Sequence, residues 1–299
     1  MHSLRILLAD LIDYAGLFPP AALEMSAAVH AFAGAYCDQD AWMLGRCIVP
    51  AARLDEFEAA LAGLERCLDE DAPWRVSVIA GADPEADLRR IAAFNQLHRD
   101  RVVVDAFEQK APAAIGAAMR SIPPSLTAYF ELLPTQTDRL AEIAEHHARA
   151  KLRTGGLTAD AFPSTASVVA FITACAAHHV SFKATAGLHH ALPGVYPFTD
   201  EPESPRGPMH GFLNLFLAAA GAFHGWNRDA LTALLDETDA MTFRFDERGV
   251  NWRGYHLDNA QLAAARTFAV SFGCCSFEEP AREIQALEQG WQRLACPLS

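Results

Sequence analysis

Short apolar runs alternate with amphipathic stretches along most of the chain. Eight of the runs are typical of β-strands and lie near residues 11, 45, 75, 101, 126, 149, 180 and 267. Each is followed by a stretch whose apolar residues recur with helical spacing. In the stretch from Ser164 to His179, for example, the apolar stripe consists of Val168, Val169, Phe171, Ile172 and Cys175. Regular alternation of strands and helices predicts parallel strands joined by crossover helices.

Eight such units predict an α/β fold, a closed (β/α)8 or TIM barrel, formed by a single domain over residues 1–299. An open doubly wound sheet is the alternative, but the first strand is not followed by the glycine-rich phosphate loop that such a sheet would carry. The alternation is interrupted over residues 191–256, before the last strand. We predict that this insertion contains a Pro-rich irregular loop over 191–208, an extra helix and a small hairpin.

The amino-acid composition limits the classes of molecule that we expect this protein to bind. The net charge of −13 argues against nucleic acid and against an anionic membrane. No stretch is interpreted as a membrane span or a signal peptide, and the seven cysteines form no CxxC pair. We therefore expect a cytoplasmic protein that binds a small molecule and needs no cofactor. Whether identical chains associate is left open.

Lysine is rare in this chain. Of 24 lysines and arginines only three are lysines, and two of these occupy matching places in two similar passages. The first passage, at 151–156, reads Lys-Leu-Arg-Thr-Gly-Gly; the second, at 182–187, reads Phe-Lys-Ala-Thr-Ala-Gly. A lysine can lose its proton and act as a nucleophile, which an arginine cannot. Lys151 and Lys183 are therefore our candidate catalytic residues.

Barrel geometry predicts where these side chains point. Side chains alternate along a strand, so Arg153 should share the inner face with Lys151, and Thr185 with Lys183. Two ammonium groups this close are expected to lower each other's pKa. A neutral amine attacks a carbonyl carbon to form a Schiff base, as in a class I aldolase. A carboxylate, Asp105 or Glu131, would then move the protons.

The two passages resemble the deoxyribose-phosphate aldolases. The Schiff-base strand of that family reads Lys-Thr-Ser-Thr-Gly, where residues 151–155 read Lys-Leu-Arg-Thr-Gly. Its next strand reads Val-Lys-Ala-Ser-Gly-Gly-Ile-Arg, where residues 182–189 read Phe-Lys-Ala-Thr-Ala-Gly-Leu-His. Weaker similarities, in the same order, occur at 11–14, 47–50 and 129–132. The similarity extends over most of the chain to about residue 190.

The resemblance implies a (β/α)8 class I aldolase in which Lys151 forms the Schiff base and Lys183 lowers its pKa. Which of the two lysines reacts is left open. It also implies that Asp13 contacts the substrate, whereas Asp105 lies near, but not at, the place of the family's catalytic aspartate. The family's phosphate-binding Gly-Ser-Ser turn is replaced by Gly-Cys-Cys-Ser at 273–276, followed by two glutamates that would repel a phosphate. We therefore expect a non-phosphorylated carbonyl compound, with a carboxylate held by Arg153, in contact with Thr154, Thr185, His189 and Ser271.

Three alternatives stay open. One is a metal-dependent lyase or hydrolase whose ligands come from Glu108, Glu131, His189, His190 and His210. In the second, Lys151 and Lys183 act as acid and base on a carbon acid without a covalent step. The third is a non-catalytic barrel that binds a metabolite, with the Pro-rich loop and the apolar helix at 212–222 as contact surface. Cys274 and Cys275 are interpreted as packing residues, because the sequence places no histidine beside them.

Overall fold

Eight parallel strands close into a barrel in the computed structural model, which describes residues 1–64, 73–98, 100–199 and 201–295. The barrel strands are β1 (Ile12–Tyr14), β2 (Leu44–Pro50), β3 (Trp74–Ile79), β4 (Val102–Lys110), β5 (Thr127–Leu132), β6 (Arg149–Arg153), β7 (Phe182–Thr185) and β13 (Ala269–Cys274). They follow one another around the barrel in chain order, and β13 closes it against β1. The predicted (β/α)8 fold is confirmed. The predicted domain range of 1–299 also covers residues 65–72, 99, 200 and 296–299, which lie outside the described residues.

One helix follows each barrel strand along the chain. These helices are α2 (Met25–Tyr36), α3 (Leu54–Leu61), α4 (Pro84–His98), α5 (Ile115–Ser121), α6 (Leu140–Glu145), α7 (Thr165–Ala177), α8 (Phe212–Phe223) and α11 (Glu278–Ala295). Within the described residues three further helices occur: α1 (His2–Leu8), α9 (Arg228–Leu235) and α10 (Asn259–Phe268). The pattern did not predict α1, because its apolar residues continue directly into those of β1.

The insertion contains more regular structure than expected. The Pro-rich segment forms an antiparallel hairpin of β8 (Gly194–Pro197) and β9 (Arg206–Met209), so the prediction of an irregular loop is wrong. Proline lacks an N–H donor but is tolerated in a two-stranded ribbon, where every strand has a free edge. The predicted small hairpin gains a third strand. Its members are β10 (Phe243–Phe245), β11 (Gly249–Trp252) and β12 (Tyr255–Asp258).

Alternation along the strands separates the apolar core from the barrel interior. On β6, Ala150 and Leu152 belong to the hydrophobic core, whereas Lys151 and Arg153 face the barrel mouth. Full burial of a leucine-sized side chain contributes about 1.5–3 kcal/mol. The outward faces of the strands therefore hold the helices in place, and the inward faces are free to carry polar groups.

The segment 159–177 is long and apolar enough to cross a membrane by length and composition, contrary to our interpretation of the sequence. It contains α7, whose stripe of Val168, Phe171 and Ile172 is fully buried in the fold. Core helices of globular proteins satisfy the same two criteria.

Two glycines, Gly155 and Gly187, lie in close contact in the turns that follow the two lysine-bearing strands, β6 and β7. A Cβ atom on Gly155 would lie 2.7 Å from the Cα of Gly187, and Gly187 has a φ of +71°. Thr154 ties the same two turns together, because its hydroxyl donates to the carbonyl of Ala186 at 2.7 Å. The repeated glycines thus permit the close approach of the turns that follow β6 and β7.

Candidate functional site

A cavity of about 760 Å³ opens at the carboxyl ends of the barrel strands. This is the end at which TIM-barrel enzymes carry their active sites. Apolar residues such as Phe18, Ile48 and Ile79 form part of its wall. Its charged or titratable lining residues are Glu108, Lys110, Glu131, Lys151, Arg153, His189 and Cys275.

Lys183 lies beneath this cavity and does not line it. Its Nζ atom is 2.5 Å from Asp13 Oδ2 and 2.7 Å from Glu108 Oε1. Asp13 is held in turn by the Ser271 hydroxyl at 2.8 Å and by the backbone N–H of Arg46 at 2.9 Å. Lys183 is therefore enclosed by buried carboxylates and cannot be reached from the cavity.

Lys151 is buried as well, but it forms part of the cavity wall. It lies beside Lys183 in the strand register. Its Nζ atom is 2.8 Å from Glu108 Oε2 and 3.1 Å from Glu131 Oε2, while Arg153 Nε donates to Glu131 Oε1 at 3.1 Å. Of the two paired lysines, Lys151 is the one that a bound molecule can contact.

The alternating carboxylates and ammonium groups shift the pKa values of the titratable groups in the site. Burial raises the pKa of Glu108, but the ammonium groups of Lys151 and Lys183 outweigh burial and hold this pKa well below its usual range. Burial lowers the pKa of Lys183, but Asp13 and Glu108 outweigh it, and the net pKa is raised. The expectation that the lysines lower each other's pKa is therefore wrong for Lys183, because a carboxylate lies between the two amines.

Glu108 is the central residue that the sequence predicted only as a metal ligand. It is fully buried, contacts both lysines and accepts a hydrogen bond from Ser77 at 2.6 Å. Its Oε2 atom accepts no hydrogen bond of good geometry from the described residues, although Lys151 Nζ is close. The sequence signal that could have identified Glu108 is its position within an apolar strand, because a buried charge at such a position requires a partner of opposite charge.

Asp105 does not belong to the cavity. It is the extra residue of a β-bulge in β4, since Val104 and Ala106 pair with consecutive residues of β3. Its carboxylate binds Arg46 at 2.6 and 2.9 Å and Arg75 at 2.8 Å. It precedes Glu108 by three residues, or roughly 10 Å of strand, towards the amino-terminal end of the barrel. The predicted catalytic role is corrected for this reason: Asp105 closes an arginine cluster instead.

The predicted substrate-binding residues fall into two groups. Arg153, Thr185 and His189 line the cavity. Asp13, Thr154 and Ser271 do not, because each is buried and engaged in hydrogen bonds to protein groups. Their contacts position the lysine strands rather than a ligand.

The histidines and glutamates of the metal alternative are not gathered at one point. His190 Nδ1 pairs with Glu283 at 2.6 Å, and His210 Nε2 contacts the carbonyl of Pro163 at 2.7 Å. Within the described ranges, no group of three or more His, Cys, Asp or Glu side chains is arranged to hold a metal ion.

The two cysteines at the end of β13 do have a histidine beside them. His189 Nδ1 is 3.7 Å from Cys274 Sγ, 3.9 Å from Cys275 Sγ and 3.5 Å from Glu279 Oε2. Cys274 is a buried packing residue as interpreted, but the sequence did not predict the histidine, because Cys274 and His189 are 85 positions apart and only the barrel brings them together.

The candidate site therefore consists of a cavity, one lysine in its wall, and carboxylates on either side of that lysine.

Comparisons of the chain with models of protein families, with curated proteins and with solved structures gave no match.

Proposed function

We propose that this barrel is a Schiff-base-forming lyase of the class I aldolase type, with Lys151 as its nucleophile. The observation that carries the proposal is the placement of Lys151: it is in the cavity wall, with Glu108 and Glu131 within 2.8 and 3.1 Å of its nitrogen. An amine between two carboxylates can give up and regain protons without waiting for solvent. The TIM-barrel fold is compatible with this chemistry.

Imine formation begins when a carboxylate accepts a proton from the Lys151 ammonium. The free amine adds to the substrate carbonyl, and the resulting carbinolamine loses water as Glu131 returns a proton to the departing hydroxyl group. The product is a protonated imine. The Oε2 atom of Glu108, which lies 2.8 Å from the Lys151 nitrogen, stabilises this positive charge.

Carbon–carbon cleavage follows when a base takes the proton of the substrate's β-hydroxyl group. The bond between the α and β carbons breaks, its electron pair moves towards the imine nitrogen, and an aldehyde leaves. The enamine that remains is protonated on carbon and hydrolysed by one water molecule, which restores the lysine. The net reaction splits one β-hydroxy carbonyl compound into two carbonyl compounds.

The charge at the mouth favours an anionic substrate. Arg153 is 44% exposed and uses its Nε atom on Glu131, and its terminal nitrogens donate no hydrogen bond within the described residues. Lys110 also lines the cavity, and no ion pair of it occurs there among the described residues. Local positive charge in a chain of net charge −13 points to a carboxylate on the substrate.

Borohydride trapping tests the proposal. The protein is incubated with small aldehydes and 2-oxo acids, reduced, digested and mapped by mass spectrometry. Because the chain contains only three lysines, every lysine adduct can be assigned. We expect a stoichiometric adduct on Lys151, none on enclosed Lys183, and only slow non-specific labelling of exposed Lys110.

Two variants make the trapping experiment specific. Lys151→Met should lose the adduct, and Asp105→Asn should keep it, because Asp105 lies outside the cavity. No adduct on Lys151 across the panel would contradict the proposal. Turnover without any adduct would instead favour the non-covalent acid–base alternative.

Arg153→Gln tests recognition of the carboxylate. Hydrogen bonds to charged groups contribute about 1.5–3 kcal/mol, so KM for a carboxylate-bearing substrate should rise about 10- to 100-fold with little change in kcat. The methyl ester of the same compound serves as the matched ligand, and its KM should not change. An equal effect on acid and ester would mean that Arg153 acts only through Glu131.

A further inference from the structure

Cys275 lies in a thin wall between two cavities. It lines the cavity of Lys151, and it also lines a second cavity of about 780 Å³ between α2 and α11. It is partly exposed, whereas its neighbour Cys274 is buried. Of the two thiols, only that of Cys275 can meet a molecule in either cavity.

His189 provides what a cysteine needs to become reactive. Its Nδ1 atom lies 3.9 Å from Cys275 Sγ and 3.5 Å from Glu279 Oε2. The carboxylate orients the ring and favours its cation, and an imidazolium beside a thiol favours the thiolate. The same ring nitrogen thus faces both the carboxylate and the thiols, and the buried Cys274 Sγ lies at 3.7 Å from it.

We propose that Cys275 is a second nucleophile of this barrel, activated by His189, and that it adds reversibly to the carbonyl carbon of a small aldehyde. In this step the thiolate sulfur forms a bond to the carbonyl carbon, and the C=O π bond breaks. The oxygen takes up the proton that His189 carries, which gives a neutral hemithioacetal. No oxidant, reductant or further reactant is needed, and the reverse step restores the thiolate and the imidazolium.

The surroundings favour the protonated form of His189. Burial lowers the pKa of His189, but the two cysteines and Glu279 outweigh it, and the net pKa is raised. The other charged or titratable groups around the cluster are Tyr14, His190, Glu278 and Arg282. Burial raises the pKa of Tyr14, and Cys47, Cys275, Cys274 and Glu278 raise it further, so this phenol stays neutral near pH 7 and adds no charge to the cluster.

The Cys275 thiol would also act on a product of the proposed cleavage reaction. Cleavage of a β-hydroxy carbonyl compound at Lys151 releases an aldehyde into the cavity that Cys275 lines. A hemithioacetal would hold that aldehyde near the enamine. This purpose rests on the proposed lyase function, whereas the reactivity of the thiol does not.

Alkylation by iodoacetamide, mapped peptide by peptide, tests the activation. Exposed Cys37 serves as the reference thiol. At pH 6.5 we expect Cys275 to react at least about tenfold faster than Cys37, because a protonated imidazole beside a thiol favours the reactive thiolate form. His189→Gln should remove the difference. Equal rates for the two cysteines, unaffected by His189→Gln, would overturn the proposal.

Acetaldehyde labelled with ¹³C at C1 tests the adduct itself. We expect a new ¹³C resonance from a carbon bonded to both sulfur and oxygen. It should vanish in Cys275→Ser and Cys275→Ala and persist in Cys37→Ser, with circular dichroism to establish that each variant is folded. A resonance that survives in both Cys275 variants would refute the proposal.

The Lys151→Met variant separates the two proposals. It cannot form an imine at that position, but its thiol cluster is intact. If it keeps both the rapid alkylation and the ¹³C resonance, the Cys275 proposal stands whatever trapping at Lys151 reveals. If it loses both while folded, Cys275 is not an independent nucleophile.

Discussion

Lys151→Met is expected to lower turnover of the trapped substrate by about 10⁴- to 10⁶-fold, the usual scale for loss of a covalent nucleophile. The fold should survive, and the arrangement of charges says why. After loss of the Lys151 amine, Glu108 keeps Lys183 as its partner and Glu131 keeps Arg153. Each carboxylate thus retains a cation. Aldehyde release and thermal unfolding measured on the same preparations test both statements.

Lys183→Met is the matched comparison. It also removes one buried ammonium group, but it takes away the one ion pair that Asp13 forms within the described residues and leaves the hydrogen bonds from Ser271 and the Arg46 backbone. We expect this variant to lose stability and activity together. A folded Lys151→Met variant with near-normal turnover would rule out covalent catalysis by this lysine.

Glu108→Gln is expected to lower the free energy of unfolding at pH 7 by about 3–5 kcal/mol, the usual cost of removing one partner from a buried ion pair. The amide has nearly the shape of the carboxylate but no charge to balance Lys151 and Lys183. Urea unfolding measures the change. Glu85→Gln, at an exposed position of α4, is the control and should change stability by less than about 0.5 kcal/mol.

The double variant Glu108→Gln/Lys151→Met sharpens this test. Removing the Lys151 ammonium group together with the carboxylate should recover part of the lost stability, because Lys183 keeps Asp13 and Arg153 keeps Glu131 as partners. If Glu108→Gln alone costs less than about 1 kcal/mol, the two ammonium groups do not depend on Glu108 for neutralisation.

The pH dependence of stability should follow from the same residues. The pKa of Glu108 is depressed in the folded state, so its contribution is present above the unfolded-state value of about 4.3 and is lost as the pH falls below it. The pKa of Lys183 is raised, so its contribution is present below about 10.4 and is lost as the pH rises further. The free energy of unfolding of the parent protein should therefore decrease below about pH 4.3 and above about pH 10.4. In Glu108→Gln the decrease on the acid side should be smaller.

The fold was largely predictable because periodicity is a local property. Eight runs with strand character and helical stretches between them predicted the closed barrel. The departures are local too. The Pro-rich hairpin was missed because proline signals an irregular loop, and α1 was missed because it shares an apolar run with β1.

The site was predictable only in part. Alternation placed Lys151 and Arg153 on one face and Lys183 in register beside Lys151, as the structure has them. Asp105 was expected near the carboxyl end of its strand, but β4 carries a bulge at Asp105 and continues to Lys110, so Glu108 and not Asp105 lines the cavity. A one-residue shift of this kind depends on neighbouring strands and leaves no mark in the chain's own pattern.

What the sequence determined by itself is the barrel, the rarity of its lysines and the side of the strand each lysine occupies. These follow from spacing along the chain. The tertiary structure alone decided which lysine a ligand can reach, which carboxylate lies between the two amines, and that His189 meets Cys274 and Cys275. Those relations include residue pairs 75, 85 and 170 positions apart, which meet only when the strands pack side by side in the closed barrel.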